Sequence, residues 1–154
     1  MNEEENAIRA LELEIVEGWN ARSAEAMTKS WSDAVRMVGF DGTEVNGRDN
    51  ATRSLAKIFA DHEVARYVCL VRGIRHLQPG VALLQAHVGM VAPKKVKIMA
   101  DRNAVQTLLA VLRDGRWQTE LFQNTPAKWD GRAGDVDALT EELQASFDSM
   151  NHPP

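Results

Sequence analysis

The sequence predicts an α+β fold in which helices gather on the concave face of an antiparallel sheet. Three observations carry that reading. Apolar residues recur at helical spacing near both ends of the chain. From Val64 onward the pattern changes to period two with many β-branched residues. Asp114-Gly115 joins two strand-like runs, 102–113 and 116–125, and Asp-Gly is a strong hairpin signal because a type I′ turn needs φ > 0 at both central positions. No strand–helix–strand unit is visible, which separates the chain from the α/β class.

Each element follows from its own pattern. Ile8, Leu11, Ile15 and Trp19 form one face of a helix over 3–19. After Asn20, Ser23 can cap a shorter helix carrying Ala24, Met27 and Trp31 on one side. Runs 35–40 and 43–45 flank Asp41-Gly42 and read as a small hairpin. Gly47 releases the chain into a third helix with Ala51, Leu55, Ile58 and Phe59 on one stripe. Strands 64–77 and 81–91 meet through Gln78-Pro79-Gly80, where Pro fixes φ and Gly tolerates the positive region. Pro126 ends the last strand. A polar link over 128–134 leads to a final helix with a narrow stripe of Val136, Leu139, Leu143 and Phe147, and His152-Pro153-Pro154 reads as a frayed end. Residues 1–127 thus read as one domain, with 128–154 a linker and helix belonging to it.

A two-residue turn at Asp114-Gly115 fixes the hairpin's expected register. One face would pair Leu112 with Trp117, Ala110 with Thr119, Leu108 with Leu121 and Gln106 with Gln123. The other would pair Val111 with Gln118, Leu109 with Glu120, Thr107 with Phe122 and Val105 with Asn124. A buried amide left unpaired costs about 1–3 kcal/mol, so these amides need each other, water or a ligand. The face of Gln106, Gln123 and Trp117 is expected to lie under the helices and carry the pocket, the opposite face to serve dimerisation; the reversed assignment stays open.

Composition narrows the function. A chain of 154 residues is long enough to bury close to ~70% of its unfolded surface as one domain. With 44% hydrophobic and 26% charged residues it is an ordinary globular chain. A net charge of -4 argues against a nucleic-acid partner, and the cluster Lys94-Lys95-Val96-Lys97 reads as a solvated loop. The single cysteine, Cys69, lies in an apolar run and excludes an intrachain disulfide. An acidic amino terminus, Glu3-Glu4-Glu5, is unlike a secretory signal, and no apolar stretch approaches the ~18 residues of a membrane span. A cytoplasmic protein with no membrane partner is the expectation.

The order of elements, together with Trp19-Asn20-Ala21, Ser32-Asp33-Ala34-Val35, Asp41-Gly42 through Gly47-Arg48, and Asp114-Gly115-Arg116-Trp117, resembles the NTF2-like superfamily over residues 7–125. SnoaL-like cyclases and ketosteroid isomerases belong to it. The resemblance implies a cystatin-like cone with a carboxy-terminal helix added. Arg102-Asn103-Ala104-Val105-Gln106-Thr107 and Phe122-Gln123-Asn124-Thr125 look like the SgcJ/EcaC subgroup, some of whose members sit in enediyne natural-product pathways. That likeness implies a polyketide-like ligand. An "oxidoreductase" label attached to the subgroup finds no support in the residues, since Gly39, Gly42 and Gly47 are not spaced as a dinucleotide fingerprint.

Several residues are candidates for chemistry. SnoaL-like and dehydratase-like relatives often carry Asp after the first helix; Asn20 stands here, and an amide cannot accept a proton at neutral pH. Asn20 is left to orient a ligand or cap a turn. His87, the one histidine inside a strand, is the candidate proton-transfer group, against a structural role favoured by the lack of an orienting carboxylate. Asp33 and Asp101 read as strand-end residues. Trp31 and Phe40 are core aromatics that can also reach a ligand, and Gln106, Gln123 and Asn124 are the polar pocket candidates. No metal-ligand spacing, activated cysteine or serine elbow is present, so no metal and no cofactor are expected. The leading reading is a homodimer that binds or processes an apolar, partly oxygenated small molecule without a cofactor. The alternative is a non-catalytic dimeric association module, with the cavity filled by core and the last helix stripe binding a partner.

Overall fold

A computed structural model describes residues 2–151, so the expected frayed end His152-Pro153-Pro154 lies outside the described residues. Helix α1 (Glu3–Asn20) is capped by the Asn2 side chain, which accepts from Glu5 N, and buries Ile8, Leu11 and Ile15. Ser23 caps the short α2 (Ala24–Thr28) by accepting from Ala26 N. Strand β1 (Trp31–Val38) then begins earlier than the sequence suggests. Trp31 is its first residue rather than part of α2, because Lys29 already ends the helix.

Strand β2 (Glu44–Asn46) pairs with β1 through Arg36–Asn46, Met37–Val45 and Val38–Glu44. The loop is therefore 39–43 rather than Asp41-Gly42 alone, closed by Gly39 N donating to Thr43 O and Gly42 N to Gly39 O. Gly47, at φ 89°, turns the chain into α3 (Arg48–Asp61). Arg22 donates to the carbonyls of Phe59 and His62, tying the end of α3 to the α1–α2 turn.

The remaining strands are β3 (Arg66–Gln78), β4 (Val81–Val91), β5 (Ala104–Arg113) and β6 (Arg116–Pro126), with one 3-10 turn, Ala100–Arg102, before β5. All six strands form a single curved sheet in the order β2-β1-β6-β5-β4-β3. Every neighbour is antiparallel except β1 and β6, which run parallel. Helices α1, α2 and α3 cover one face, where the small side chains of Ala82, Ala86 and Ala110 let Ile8, Leu11 and Leu55 approach the sheet.

The β5–β6 hairpin corrects the expected register. Asp114 and Gly115, at φ 51° and 76°, make the two-residue turn, and Leu112–Trp117, Val111–Gln118 and Ala110–Thr119 pair as predicted. Between Leu109 and Ala110 the pairing slips by one residue, with Leu109 opposite Leu121, Leu108 opposite Phe122 and Gln106 opposite Asn124. Glu120 is the additional residue of a β-bulge. Beyond it every β6 side chain changes face, so Phe122 and Asn124 join Leu108 and Gln106 inside while Leu121 and Gln123 turn outward. The bulge carries its own anchors: Glu120 accepts from Ser32 Oγ at 2.5 Å and from Arg113.

Helix α4 (Ala133–Asn151) lies on the opposite, outer face. Leu139, Leu143 and Phe147 pack on Val68, Val91 and Ile98, so the stripe expected for an external partner is spent within the chain. Gln144 clips the preceding loop, accepting from Ile98 N and donating to Val96 O. Gly89 of β4 makes room for the helix: a Cβ there would lie 2.9 Å from Leu143 Cδ1.

Gly18 serves a similar purpose where α1 meets α2, since a Cβ would come 2.6 Å from Met27 N and 2.8 Å from its Cα. Gly18→Ala gains about 1 kcal/mol of helix propensity but forces backbone apart, so a net loss of about 1–3 kcal/mol is expected. Urea unfolding should show a lower midpoint at unchanged slope.

Candidate functional site

A cavity of about 690 Å³ opens between the helical layer and the inner sheet face. Its walls are mainly apolar: Leu55 and Ile58 from α3, Met37 and Val45 from the β1–β2 hairpin, and Phe122 from β6. Phe40, Pro93, Met99 and Arg102 line it from the loops, with Arg102 Cζ 5.4 Å from the centroid of the Phe40 ring. Charged and polar Asp41, His62 and Glu63 are exposed on its open side. Two polar side chains reach it from the sheet, Tyr67 of β3 and Asn124 of β6.

Asn124 owes its place to the bulge at Glu120. Its Oδ1 accepts from Gln106 Nε2 at 2.8 Å, while its own amide N–H group makes no bond among the described residues. Gln106 itself is fully buried, and its Oε1 has no partner among the described residues. Tyr67, the sole tyrosine, is positioned by Asn20, whose Oδ1 accepts from Tyr67 N at 2.7 Å and whose Nδ2 donates to Tyr67 O at 3.0 Å. Trp19 reinforces the same strand, donating to Ala65 O and contacting Tyr67 with ring centroids 5.2 Å apart.

The predicted site residues therefore separate. Phe40 and Asn124 line the cavity, and Gln106 stands directly behind Asn124. Asn20 is committed to the β3 backbone and acts through Tyr67. Trp31 is buried core, 5.9 Å from the Phe122 ring, and does not line the cavity. Gln123 lies on the outer face, where the bulge sends it. His87 also projects outward, so the expectation that it shares a pocket with Gln106 is corrected: strand alternation puts Ala86 and Val88 inside and His87 against α4. Asp33 is exposed and pairs loosely with Arg48 at 3.4 Å, and Asp101 is exposed.

On that outer side His87 Nδ1 accepts from Arg72 Nε at 2.9 Å, and Arg72 makes a bidentate pair with Glu142 of α4. Trp129 meets the imidazole edge-on at 5.6 Å. Desolvation, with the Arg72 charge in second place, lowers the His87 pKa; Glu142 acts in the opposite sense.

Glu12 is the group that sequence reasoning missed. It lies at i+4 from Ile8 and i−3 from Ile15, an acid within an apolar stripe, and that spacing was the available signal. The side chain is fully buried; among the described residues Oε1 has no partner and Oε2 meets only Cys69 Sγ, at 3.9 Å. Burial pushes its pKa up from 4.5 to about 8, against a smaller opposing effect of the Cys69 contact. Burial also raises the pKa of Tyr67 and of Cys69, and the proximity of Glu12 adds to both. Among the described residues no group of three or more His, Cys, Asp or Glu is placed to hold a metal ion, and no helix is long and apolar enough to cross a membrane.

A SnoaL-like domain family model matches residues 8–130, most of the chain. The chain belongs to the SnoaL-like family. Solved structures agree on the NTF2-like, cystatin-like fold. A domain of unknown function with a cystatin-like fold from Nostoc punctiforme is 23% identical, with a TM-score of 0.80 over 97% of this chain and 95% of that one. A putative calcium/calmodulin-dependent protein kinase type II association domain from Thiobacillus denitrificans is 16% identical, with a TM-score of 0.69 over 78% and 94%. A ketosteroid isomerase-like protein from Erwinia carotovora atroseptica is 14% identical, with a TM-score of 0.64 over 83% and 99%. No curated protein matches the sequence.

Within this SnoaL-like domain the cavity has a phenol and an amide on an apolar wall. Two pH responses follow. Because the folded pKa of His87 is lowered, its neutral form stabilises the fold fully above the unfolded value near 6.5, and that contribution is lost as pH falls through the folded value. His87→Asn keeps an acceptor for Arg72, so its urea stability should lack this acid-side decline. Glu12 behaves oppositely: the unfolded chain releases the proton near pH 4.5 and the folded one near 8, so stability falls across that window. Glu12→Gln should match the wild type near pH 4.5 and exceed it by a few kcal/mol at pH 8 in urea unfolding.

Proposed function

We propose that the cavity binds an apolar, partly oxygenated small molecule, with Tyr67 and Asn124 holding its oxygen. The observation that carries this reading is the 690 Å³ apolar cavity with two sheet-borne hydrogen-bonding groups on its wall. Ligand pockets commonly span about 300–1,000 Å³ with few, well-placed polar groups. A polyketide-like metabolite, including the enediyne-pathway type implied by the SgcJ/EcaC likeness, meets that description. The fold shared with a ketosteroid isomerase-like protein supports the same class of ligand. Catalysis in such a site would stabilise an enol or carbonyl oxygen through Tyr67 and Asn124 without a cofactor. His87, across the sheet, is left to the α4 contact.

Outer-face residues Leu83, Leu109, Val111 and Leu121 are half-buried and leave an apolar row beside α4. That row supports a homodimer joined through the open face. It also favours a second reading, a non-catalytic association module, as does the likeness to a kinase association domain.

Thermal unfolding against a panel of polyene, steroid and polyketide-like compounds separates the readings. A ligand at a hundredfold excess over its Kd adds about 2.7 kcal/mol and raises the melting temperature. Ile58→Trp, which fills the cavity from α3, should remove that shift while the protein remains folded. Failure of the whole panel to shift the wild type would favour the association module.

A further inference from the structure

The small-molecule reading leaves one ionisable group of the interior unused. Glu12 is fully buried, with one oxygen unpartnered among the described residues and the other facing a thiol at 3.9 Å. An apolar residue or a glutamine would suit stability better, so its presence points to a task other than holding the fold. Its surroundings show where that task lies. Cys69 and Tyr67 alternate along β3 toward the same face, so Glu12 stands over the row that ends at the cavity wall. The charge of Glu12 is felt at the Tyr67 hydroxyl, and Gln106 acts on that hydroxyl in the opposite sense. Gln106 in turn holds Asn124, the second polar group of the wall. A carboxyl, a phenol and two amides thus run from the core to the cavity.

We propose that Glu12 sets the ligand charge the cavity accepts: an oxyanion, such as a phenolate or enolate, binds at Tyr67 and Asn124 only while Glu12 carries its proton. The inference rests on the small-molecule reading and names the ligand class of that site. With Glu12 neutral, the Tyr67 O–H and the Asn124 N–H group can donate to a bound oxyanion, and hydrogen bonds to charged acceptors are the stronger kind. With Glu12 ionised, two negative charges share a poorly screened interior and repel. Of the charged residues lining the cavity, Arg102 is the one that attracts an oxyanion, set against Asp41 and Glu63. It lines the cavity beside Phe40 and has no acidic partner among the described residues.

Cys69, which Glu12 contacts, and Tyr67 are the titratable groups of β3 that feel its charge, and Arg9 on the same helix acts on that thiol in the opposite sense. Burial and Glu12 push both the thiol and the phenol upward, away from the tested range. Asp41, His62, Glu63 and Arg102 on the cavity's open side contribute equally to wild type and Glu12→Gln, so comparing the two isolates Glu12.

The experiment measures the Kd of dinitrophenolate, an anion throughout the range from about pH 6 to about pH 9.5, by quenching of tryptophan fluorescence. Wild-type affinity should weaken by up to about tenfold per pH unit above about pH 8. Glu12→Gln should bind with a flat profile and match the wild type at the acid end. Parallel profiles in the two proteins would overturn the proposal. Binding of the neutral probe N-phenylnaphthylamine without dinitrophenolate binding at any pH would also overturn it, leaving the small-molecule reading intact. If neither probe binds, both readings fall.

Discussion

The extra residue that β6 carries opposite the Leu109–Ala110 step decides which side chains the interior receives. Without the slip, Leu121 and Gln123 would face the helices, and Phe122 and Asn124 would lie on the open face. With it, Phe122 joins Trp31 in the core, and Asn124 meets Gln106 at the cavity wall. The cost of a disrupted ladder at Glu120 is offset locally, by a short hydrogen bond from Ser32 and by the Arg113 guanidinium. Ser32 belongs to β1, whose pairing with β6 is also irregular between Trp31 and Arg36. Two irregular strands therefore meet at one anchored carboxylate, and the bend there shapes the wall that follows.

The opposite wall depends on the junction between α1 and β3. Trp19 and Asn20, the last two residues of the helix, bond to the backbone of Ala65 and Tyr67, so helix and edge strand move as one body. About two turns earlier the same helix delivers Glu12 into the space above that strand. The firmly held strand end keeps a buried carboxyl and a thiol in contact, with a phenol two residues along the strand. In this arrangement Asn20 is committed to the backbone of Tyr67 and fixes that residue at the cavity wall.

Much of the architecture was legible because it rests on local rules. The stripes of α1 and α3, the Ser23 cap and the Asp114-Gly115 and Pro79-Gly80 turns each follow from a short stretch of chain. The bulge was not legible, since nothing within residues 116–126 marks Glu120; its anchors, Ser32 and Arg113, come from elsewhere in the sheet. That single slip reversed the faces of Gln123 and Asn124. His87 failed as a pocket residue for a different reason. Strand alternation placed it correctly opposite Ala86 and Val88, but only the docking of α4 shows which side is the outer one. Glu12 could have been read from its spacing, whereas the partnership of Tyr67 with Asn20 spans 47 residues and required the fold.

Gly89 has a consequence for the life of the chain in a crowded solution. Leu143 rests 2.9 Å from where its missing methyl would stand, so the glycine is a socket cut for the last helix. The socket sits beside β3, the exposed margin of the sheet, and the docked helix shields Val68, Val91 and Ile98 there. An alanine in the socket would press the helix outward and bare Val68, Val91 and Ile98, an apolar patch of the kind on which chains associate. One absent carbon atom thus keeps that apolar patch covered.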